Sequence, residues 1–220
     1  SFGIDRRWRR RALDLLAPQD GARVLDLAAG TCDLGVEIHA RAPGALVAAV
    51  DPSARMLAAG AVKLRGAGAA ERVATIRGGG HDLPLASGSL DGALVAFGIR
   101  VMPRRAEALG EIARVLRPGA RLVILELTDP RGTPLSFFAR LHVRAVVPLW
   151  GRLLSVRPAY RFLERSIAAF PPADEFARVI EAAGYEVERV EPLTFGAAHI
   201  WSAVKARRPG QCPTRRGETA

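Results

Sequence analysis

The sequence predicts an α/β fold: a mostly parallel, seven-stranded sheet with helices on both faces and a helical insertion after the fifth strand. Three observations carry this. The run Val24-Leu-Asp-Leu-Ala-Ala-Gly-Thr-Cys-Asp-Leu-Gly35 passes from apolar residues into a small-residue turn, as a buried parallel strand feeding a helix does. Ala48-Ala-Val-Asp51 ends a second apolar run on a carboxylate. Short apolar runs then alternate with amphipathic stretches as far as residue 127, the rhythm of β-α units.

Residues 5–17 read as a helix with Trp8, Ala12, Leu15 and Leu16 on one stripe, stopped by Pro18 and Gly21. Strand one spans Arg23 to Ala28, and Asp33 is placed to cap the helix that follows. Strand two spans Leu46 to Val50. Asp51-Pro-Ser53 then opens a helix to about Leu64, with Met56 and Leu57 facing inward. Val73 to Ile76 make a third strand, ended by Gly78-Gly-Gly80, and Leu90 to Phe97 a fourth. Glu107 to Leu116 form a helix closed by Arg117-Pro-Gly119, and Arg121 to Leu127 a fifth strand. Residues 131–170, basic and aromatic and punctuated by Pro134, Pro148 and Pro158, read as inserted helices near the ligand-binding carboxyl ends of the strands. A helix from Asp174 to Ala183 stops at Gly184, and two strands follow near Tyr185 to Val190 and His199 to Val204. One domain is expected over 1–206, with 207–220, polar and rich in Pro and Gly, a disordered tail.

With 49% hydrophobic residues, 220 residues suffice for one core. No stretch approaches the roughly 18 unbroken apolar residues of a membrane span, and no signal peptide is visible. Cys32 and Cys212 read as free thiols of a reducing compartment, so a cytoplasmic protein is expected. The net charge of +10 is almost all Arg, with Lys only at 63 and 205. Arg6, Arg7, Arg9, Arg10 and Arg11 form one cluster; residues 131–165, with Glu164 their only acid, form another. Aromatics interleave with the second cluster, which suits an anionic membrane surface at the inner face of the cell membrane; a solvated helix face accounts for it equally.

Asp51 lies about 20 residues beyond the first turn, where nucleotide-binding α/β folds place an acid on ribose hydroxyls. The turn Ala29-Gly30-Thr31-Cys32 lacks the G-x-G-x-x-G of dinucleotide sites. With Asp26 at the end of strand one, the pattern points to another adenosyl ligand, S-adenosylmethionine first among them, although such units also occur without a cofactor.

A longer set of motifs narrows this. Ser1-Phe-Gly-Ile4 with Trp8-Arg9, Asp26 to Asp33, Leu83-Pro84, Asp91 and Ala96-Phe-Gly-Ile-Arg100 occur in order. Val115-Leu-Arg-Pro-Gly119, Leu125-Glu126, Pro148-Leu-Trp-Gly151, Tyr160-Arg-Phe-Leu163, Ser166-Ile167, Phe170-Pro171 and Leu193-Thr194 follow. In these the chain resembles the ubiquinone/menaquinone biosynthesis C-methyltransferases from residue 1 to about 205, a Rossmann-like class I family that methylates polyprenylated quinol rings. The resemblance implies S-adenosylmethionine as cofactor, bound by Asp26, Gly30, Thr31, Asp51, Pro52, Gly79, Gly80 and Phe97. It implies a polyprenyl quinol as substrate and Arg100 as the catalytic group. A homodimer is an assembly open to such a domain. The chain departs from the family where Cys32 replaces a glycine of the cofactor turn, where its side chain is expected to crowd the methionine end of the ligand. Gly79 replaces the Asp that binds the adenine amine, with Asp82 three residues on; Val101 replaces an Asn, and Leu85 and Leu90 replace phenylalanines. The family's preceding helix, with its Tyr-Asp pair, lies outside this sequence.

Carbon methylation needs a ring carbon in line with the sulfonium methyl, and a quinol carbon becomes nucleophilic when its neighbouring hydroxyl loses a proton. Arg100, expected at the end of strand four and facing the crevice, is suited to lower that phenol's pKa. The alternative is a solvated Arg opening a helix. For Asp51 it is helix capping. His81 and Asp82 are neighbours in a loop, a weak acid-base pair. His39, His142 and His199 have no metal-ligand spacing, so no metal is expected. Phe137, Phe138, Trp150 and Tyr160 suit either a prenyl channel or plain core. Other readings are a methyltransferase for another small apolar metabolite, and a non-catalytic paralogue scaffolding quinone synthesis. Nucleic-acid methylation lacks its Asn/Asp-Pro-Pro-Tyr or Pro-Cys motifs, and no nucleic acid is expected as partner.

Overall fold

Apolar strands that bury both faces need helices on both sides, and the chain supplies them. The computed structural model describes residues 3–130 and 157–207, without the side chains of 157–160. Its strands are β1 (Arg23–Leu27), β2 (Leu46–Asp51), β3 (Val73–Arg77), β4 (Leu90–Ala96), β5 (Leu116–Leu127), β6 (Tyr185–Leu193) and β7 (Ala198–Lys205). They form one sheet in the order β3-β2-β1-β4-β5-β7-β6. The first five pair in parallel, and β7 runs antiparallel to both its neighbours. The order reverses between β1 and β4, so the carboxyl ends of these two strands flank the crevice where such sheets bind ligands.

The helices are α1 (Ile4–Leu16), α2 (Asp33–Arg41), α3 (Ala54–Gly66), α4 (Arg105–Val115), α5 (Arg157–Ala168) and α6 (Ala173–Ala182). Leu13 and Ala12 of α1, Ile38 of α2 and Leu64 of α3 pack with Val47, Leu94 and Val123 on one face. Leu109 and Ile112 of α4 and Phe176 and Ile180 of α6 pack with Leu25, Ile124 and Trp201 on the other. Phe176 and Trp201 meet edge-on at 5.0 Å between ring centroids, and the Trp201 indole donates to the Ala173 carbonyl. Burying side chains of this size contributes about 1.5–3 kcal/mol each, which is what keeps α6 on the sheet.

Four expectations change. Leu13 lies on the buried stripe of α1, while Trp8 and Leu15 are only half-buried. Met56 is exposed where Leu57 is buried. Arg117-Pro-Gly119 does not separate helix from strand: β5 starts at Leu116, and the segment bulges, so that Leu90 pairs with Leu116 but Gly92 with Arg121. Ser53, not Asp51, caps α3, its hydroxyl accepting the Met56 amide, and Asp33 lies inside α2 behind an N-cap at Cys32. Of the insertion expected over 131–170, only 157–170 falls within the described residues. Phe137, Phe138, His142, Trp150, the Tyr160 side chain, Cys212 and the tail from 208 lie outside them.

Helices α2 and α3 meet where the buried Cys32 thiol sits over Gly60: a Cβ at Gly60 would lie 2.6 Å from Cys32 Sγ and 3.1 Å from the Thr31 carbonyl carbon. Gly60→Ala is expected to lose about 1–3 kcal/mol by overpacking. Cys32→Ala in that background should recover part of the loss. Urea denaturation of the two single variants and the double variant checks this, and additive losses would show that the two positions do not share the space.

Candidate functional site

The carboxyl ends of β1 and β4 are built from residues in an unusual conformation. Ala28 (φ 60°), Gly30 (φ 54°) and Cys32 (φ 59°) follow β1, and Phe97 (φ 59°) follows β4, all in the left-handed region that costs non-glycine residues about 1–3 kcal/mol. Gly98 permits the two turns to touch, since a Cβ there would lie 2.3 Å from that of Ala28. The Asp51 carboxylate braces the assembly. Its Oδ2 accepts the Gly30 amide at 2.9 Å and its Oδ1 the Ser53 amide at 2.8 Å.

Asp26, at the end of β1, is fully buried, and its carboxylate has a weak contact from the Gly35 amide but no hydrogen bond of normal geometry among the described residues. Burial, then the neighbouring charge of Asp51, push its pKa up to about 7, against a pull from Arg9. A buried carboxylate without a well-formed hydrogen bond is matched by a cation or a strong donor. At Gly30 a Cβ would meet Met56 Cε at 3.0 Å, so the exposed Met56, expected inside, instead reaches across the turn. The thiol of Cys32 points under α3 toward Gly60, not into the crevice, so the expected crowding does not occur; burial pushes its pKa up to about 11.

Helix α1 forms the rim. The Arg9 guanidinium lies 5.9 Å from the centre of the Phe97 ring and reaches Asp5 and Asp33 at 3.1 and 3.6 Å. Trp8 packs on Phe97 at 6.3 Å and donates to the Thr194 hydroxyl, while Arg11 forks onto Glu191 at 2.8 and 2.7 Å. The Thr31 hydroxyl is engaged by Asp33 and Lys63 at the α2–α3 junction. Pro52 and Gly79 are exposed at the ends of β2 and β3. Gly80 instead packs inward, where a Cβ would meet Met102 and Ala108. Asp82 is exposed, and His81 keeps a buried Nε2 without a partner among the described residues. Asp91 stands at the opposite end of the sheet, accepting the Arg23 amide and pairing with Arg117.

The solvated alternative for Arg100 does not hold. Arg100 sits on a short 3-10 turn, Ile99–Val101, 7% exposed, neither solvated nor a free cation. Its Nε donates to Glu126 Oε1 at 3.1 Å, its backbone amide to Oε2 at 3.0 Å, and its Nη1 to the Ser166 hydroxyl of α5. Burial pushes the Glu126 pKa up, opposed by Arg100. Beyond Glu126, the Thr128 hydroxyl donates to the Gly196 carbonyl at 2.9 Å and meets His199 Nδ1 at 2.7 Å. Sequence reasoning missed Glu126, Thr128, Ala28 and Gly98 as parts of the site. Only Glu126 carried a signal, as half of the Leu125-Glu126 motif.

With this geometry in place, five likenesses add weight. The sequence profile of the ubiE/COQ5 methyltransferase family matches residues 1–205. The chain is 41% identical over 206 residues to a ubiquinone/menaquinone biosynthesis C-methyltransferase of Syntrophotalea carbinolica, covering 94% of this chain and 86% of the relative. It is 41% identical over 201 residues to a demethylmenaquinone methyltransferase of Thermus thermophilus, covering 91% and 90%. The fold resembles an S-adenosylmethionine-dependent methyltransferase of Aquifex aeolicus (TM-score 0.66, 18% identity, 90% and 89% covered). It also resembles a geranyl diphosphate methyltransferase solved with S-adenosylmethionine (TM-score 0.66, 15% identity, 94% and 92% covered).

Asp26 makes stability pH-dependent. Its folded pKa of about 7 exceeds the unfolded value of about 3.9, so between these the folded chain holds a proton that the unfolded chain has released. Stability therefore falls as pH rises through this window, by at most about 1.4 kcal/mol per unit. Denaturation midpoints at pH 5 and pH 8 should show the fall in the wild type and its absence in Asp26→Asn.

Proposed function

Because the chain belongs to the ubiE/COQ5 methyltransferase family, we propose that it methylates a ring carbon of a polyprenyl quinol from S-adenosylmethionine, in respiratory quinone biosynthesis. The observation that carries the reading is the buried carboxylate of Asp26, without a well-formed hydrogen bond, beside the Gly30 turn braced by Asp51. Asp26 matches the ammonium of the cofactor's methionine end, and Asp51 keeps lone pairs for ribose hydroxyls. Gly30 permits close approach, and the backbone at Gly79, with Pro52 and Phe97, borders the adenosine, while Gly80 packs behind it. The bound cofactor supplies a sulfonium methyl as electrophile. What the protein contributes is alignment, worth up to about 7–11 kcal/mol. The Cys32 thiol faces away from the crevice, which removes one ground for a non-catalytic scaffold.

Arg100 is assigned beside the acceptor ring. Paired with Glu126, it acts as an oriented donor, and Ser166 ties it to α5, the helix that covers this end of the sheet. Single-turnover methylation of short-chain demethylated benzoquinol and naphthoquinol, under reducing conditions, tests the function and the assignment together. Arg100→Ala and Arg100→Lys should each lose about 10²–10³ in rate with cofactor affinity kept. Wild-type rates with only a raised substrate requirement would make Arg100 a binding residue.

Such an acceptor resides in lipid, and α5 exposes Arg161, Phe162 and Arg165 next to the Arg100 turn, with Phe162 62% exposed. No helix among the described residues is long and apolar enough to cross a membrane. Peripheral docking through this helix is part of the proposed reading. The protein is expected to sediment with anionic vesicles at low salt and to be released by high salt. Failure to bind at low salt would overturn the docking.

A further inference from the structure

The Thr128 hydroxyl has one proton, and a carbonyl oxygen only accepts. Since that hydroxyl donates to Gly196 at 2.9 Å, it must accept from His199 Nδ1 at 2.7 Å. The neutral His199 ring is thereby fixed with its proton on Nδ1 and its lone pair on Nε2. His199 opens β7 and pairs in register with Glu126, so both side chains rise from one face at the carboxyl end of β5. Glu126 in turn holds Arg100. Glu126 itself cannot accept a substrate proton readily, because its oxygens already take the Arg100 Nε, the Arg100 amide and the Leu127 amide. The Trp201 ring lies 5.6 Å from the His199 ring and walls one side.

We propose that His199 is the general base of the reaction, its Nε2 taking the proton of the quinol hydroxyl next to the carbon that is methylated. This rests on the quinol reading above. The O–H bond breaks, its electron pair stays on oxygen and delocalises to the ring carbon, and the proton binds Nε2. That carbon then bonds the methyl as the carbon–sulfur pair leaves with sulfur. The ring hydrogen departs to water while the oxygen regains the proton from His199, so one proton is released overall. Thr128 is a positioning residue that selects the tautomer.

Asp174, at the start of α6, acts on the ring, and Glu126 stands opposite it in register on β5. Burial keeps the imidazole pKa below its ordinary value of 6.5 against the pull of Asp174. The wild-type rate should therefore rise to a plateau whose midpoint lies below pH 6.5.

The test is single-turnover methylation of the short-chain quinols from pH 5 to 9, with ¹⁵N imidazole spectra of the same protein. His199→Gln should lose about 10²–10⁴ in rate, keep its cofactor affinity, and replace the plateau by a rise that follows the quinol's own ionisation. Thr128→Val should lose less and shift the midpoint. The spectra should show Nε2 unprotonated at pH 7.5. A His199→Gln variant with wild-type rate and profile, or an Nε2-protonated ring, overturns the proposal. A wild type inert to both quinols with the expected tautomer overturns the substrate reading instead, and with it this use of the residue.

Discussion

The arrangement at the crevice depends on the two hydrogen bonds of the Asp51 carboxylate. One fixes Gly30 in the turn after β1, the other fixes Ser53 at the start of α3. Three non-glycine residues close by hold left-handed conformations, each costing about 1–3 kcal/mol. Charge-assisted bonds of about 1.5–3 kcal/mol each offset part of that strain. The carboxylate thus joins two strands, two turns and two helices beside the point where the strand order reverses. Asp26 lies beneath it, and its ionisation is opposed by the charge that does the bracing. The site gains a preformed turn at the cost of one destabilised acid, which a cationic ligand would relieve.

Elements whose signals are local were legible. The run into Ala29-Gly30 and the acid at Asp51 read as strand ends because apolar period and small turn residues act within a few positions. All seven strands were legible, with ends displaced by a residue to three, and by five at the start of β5. Arg117-Pro-Gly119 misled because a bulge and a helix stop use the same residues, and only the pairing of β4 with β5 separates them. Met56 and Leu57 were indistinguishable without knowing which arc of α3 the sheet covers. Cys32 shows the same limit in the site: whether its side chain enters the crevice depends on Gly60, on another helix.

The ion pair of Arg100 with Glu126 was beyond sequence reading for a similar reason. It joins the turn after β4 to the end of β5, and its geometry is set by the parallel register of those strands, Ala96 beside Leu125. Read alone, Arg100 is a permanent cation. In place it is half of a neutral pair whose third partner, Ser166, belongs to α5. Such a pair adds little net stability once desolvation is counted, yet losing either member leaves a buried charge exposed to its full penalty. It fixes position more than it supplies charge.

That distinction bears on the proposed chemistry. In methyl transfer from a sulfonium to a phenolate, opposite charges are consumed as the bond forms. Groups that hold either charge too strongly stabilise the reactants more than the transition state. A free guanidinium beside the phenolate would favour the anion and then resist its loss. Arg100 compensated by Glu126 orients the oxygen with less of that resistance. On the opposite side, Asp26 is one carboxylate in a dry environment, matched to the end of the cofactor and not to its sulfur. On the proposed chemistry, the acidic half at β1 and β2 and the neutral half at β4, β5 and β7 would divide the work: the first would bind a cation, and the second would remove a proton without presenting a fixed charge to the reacting atoms.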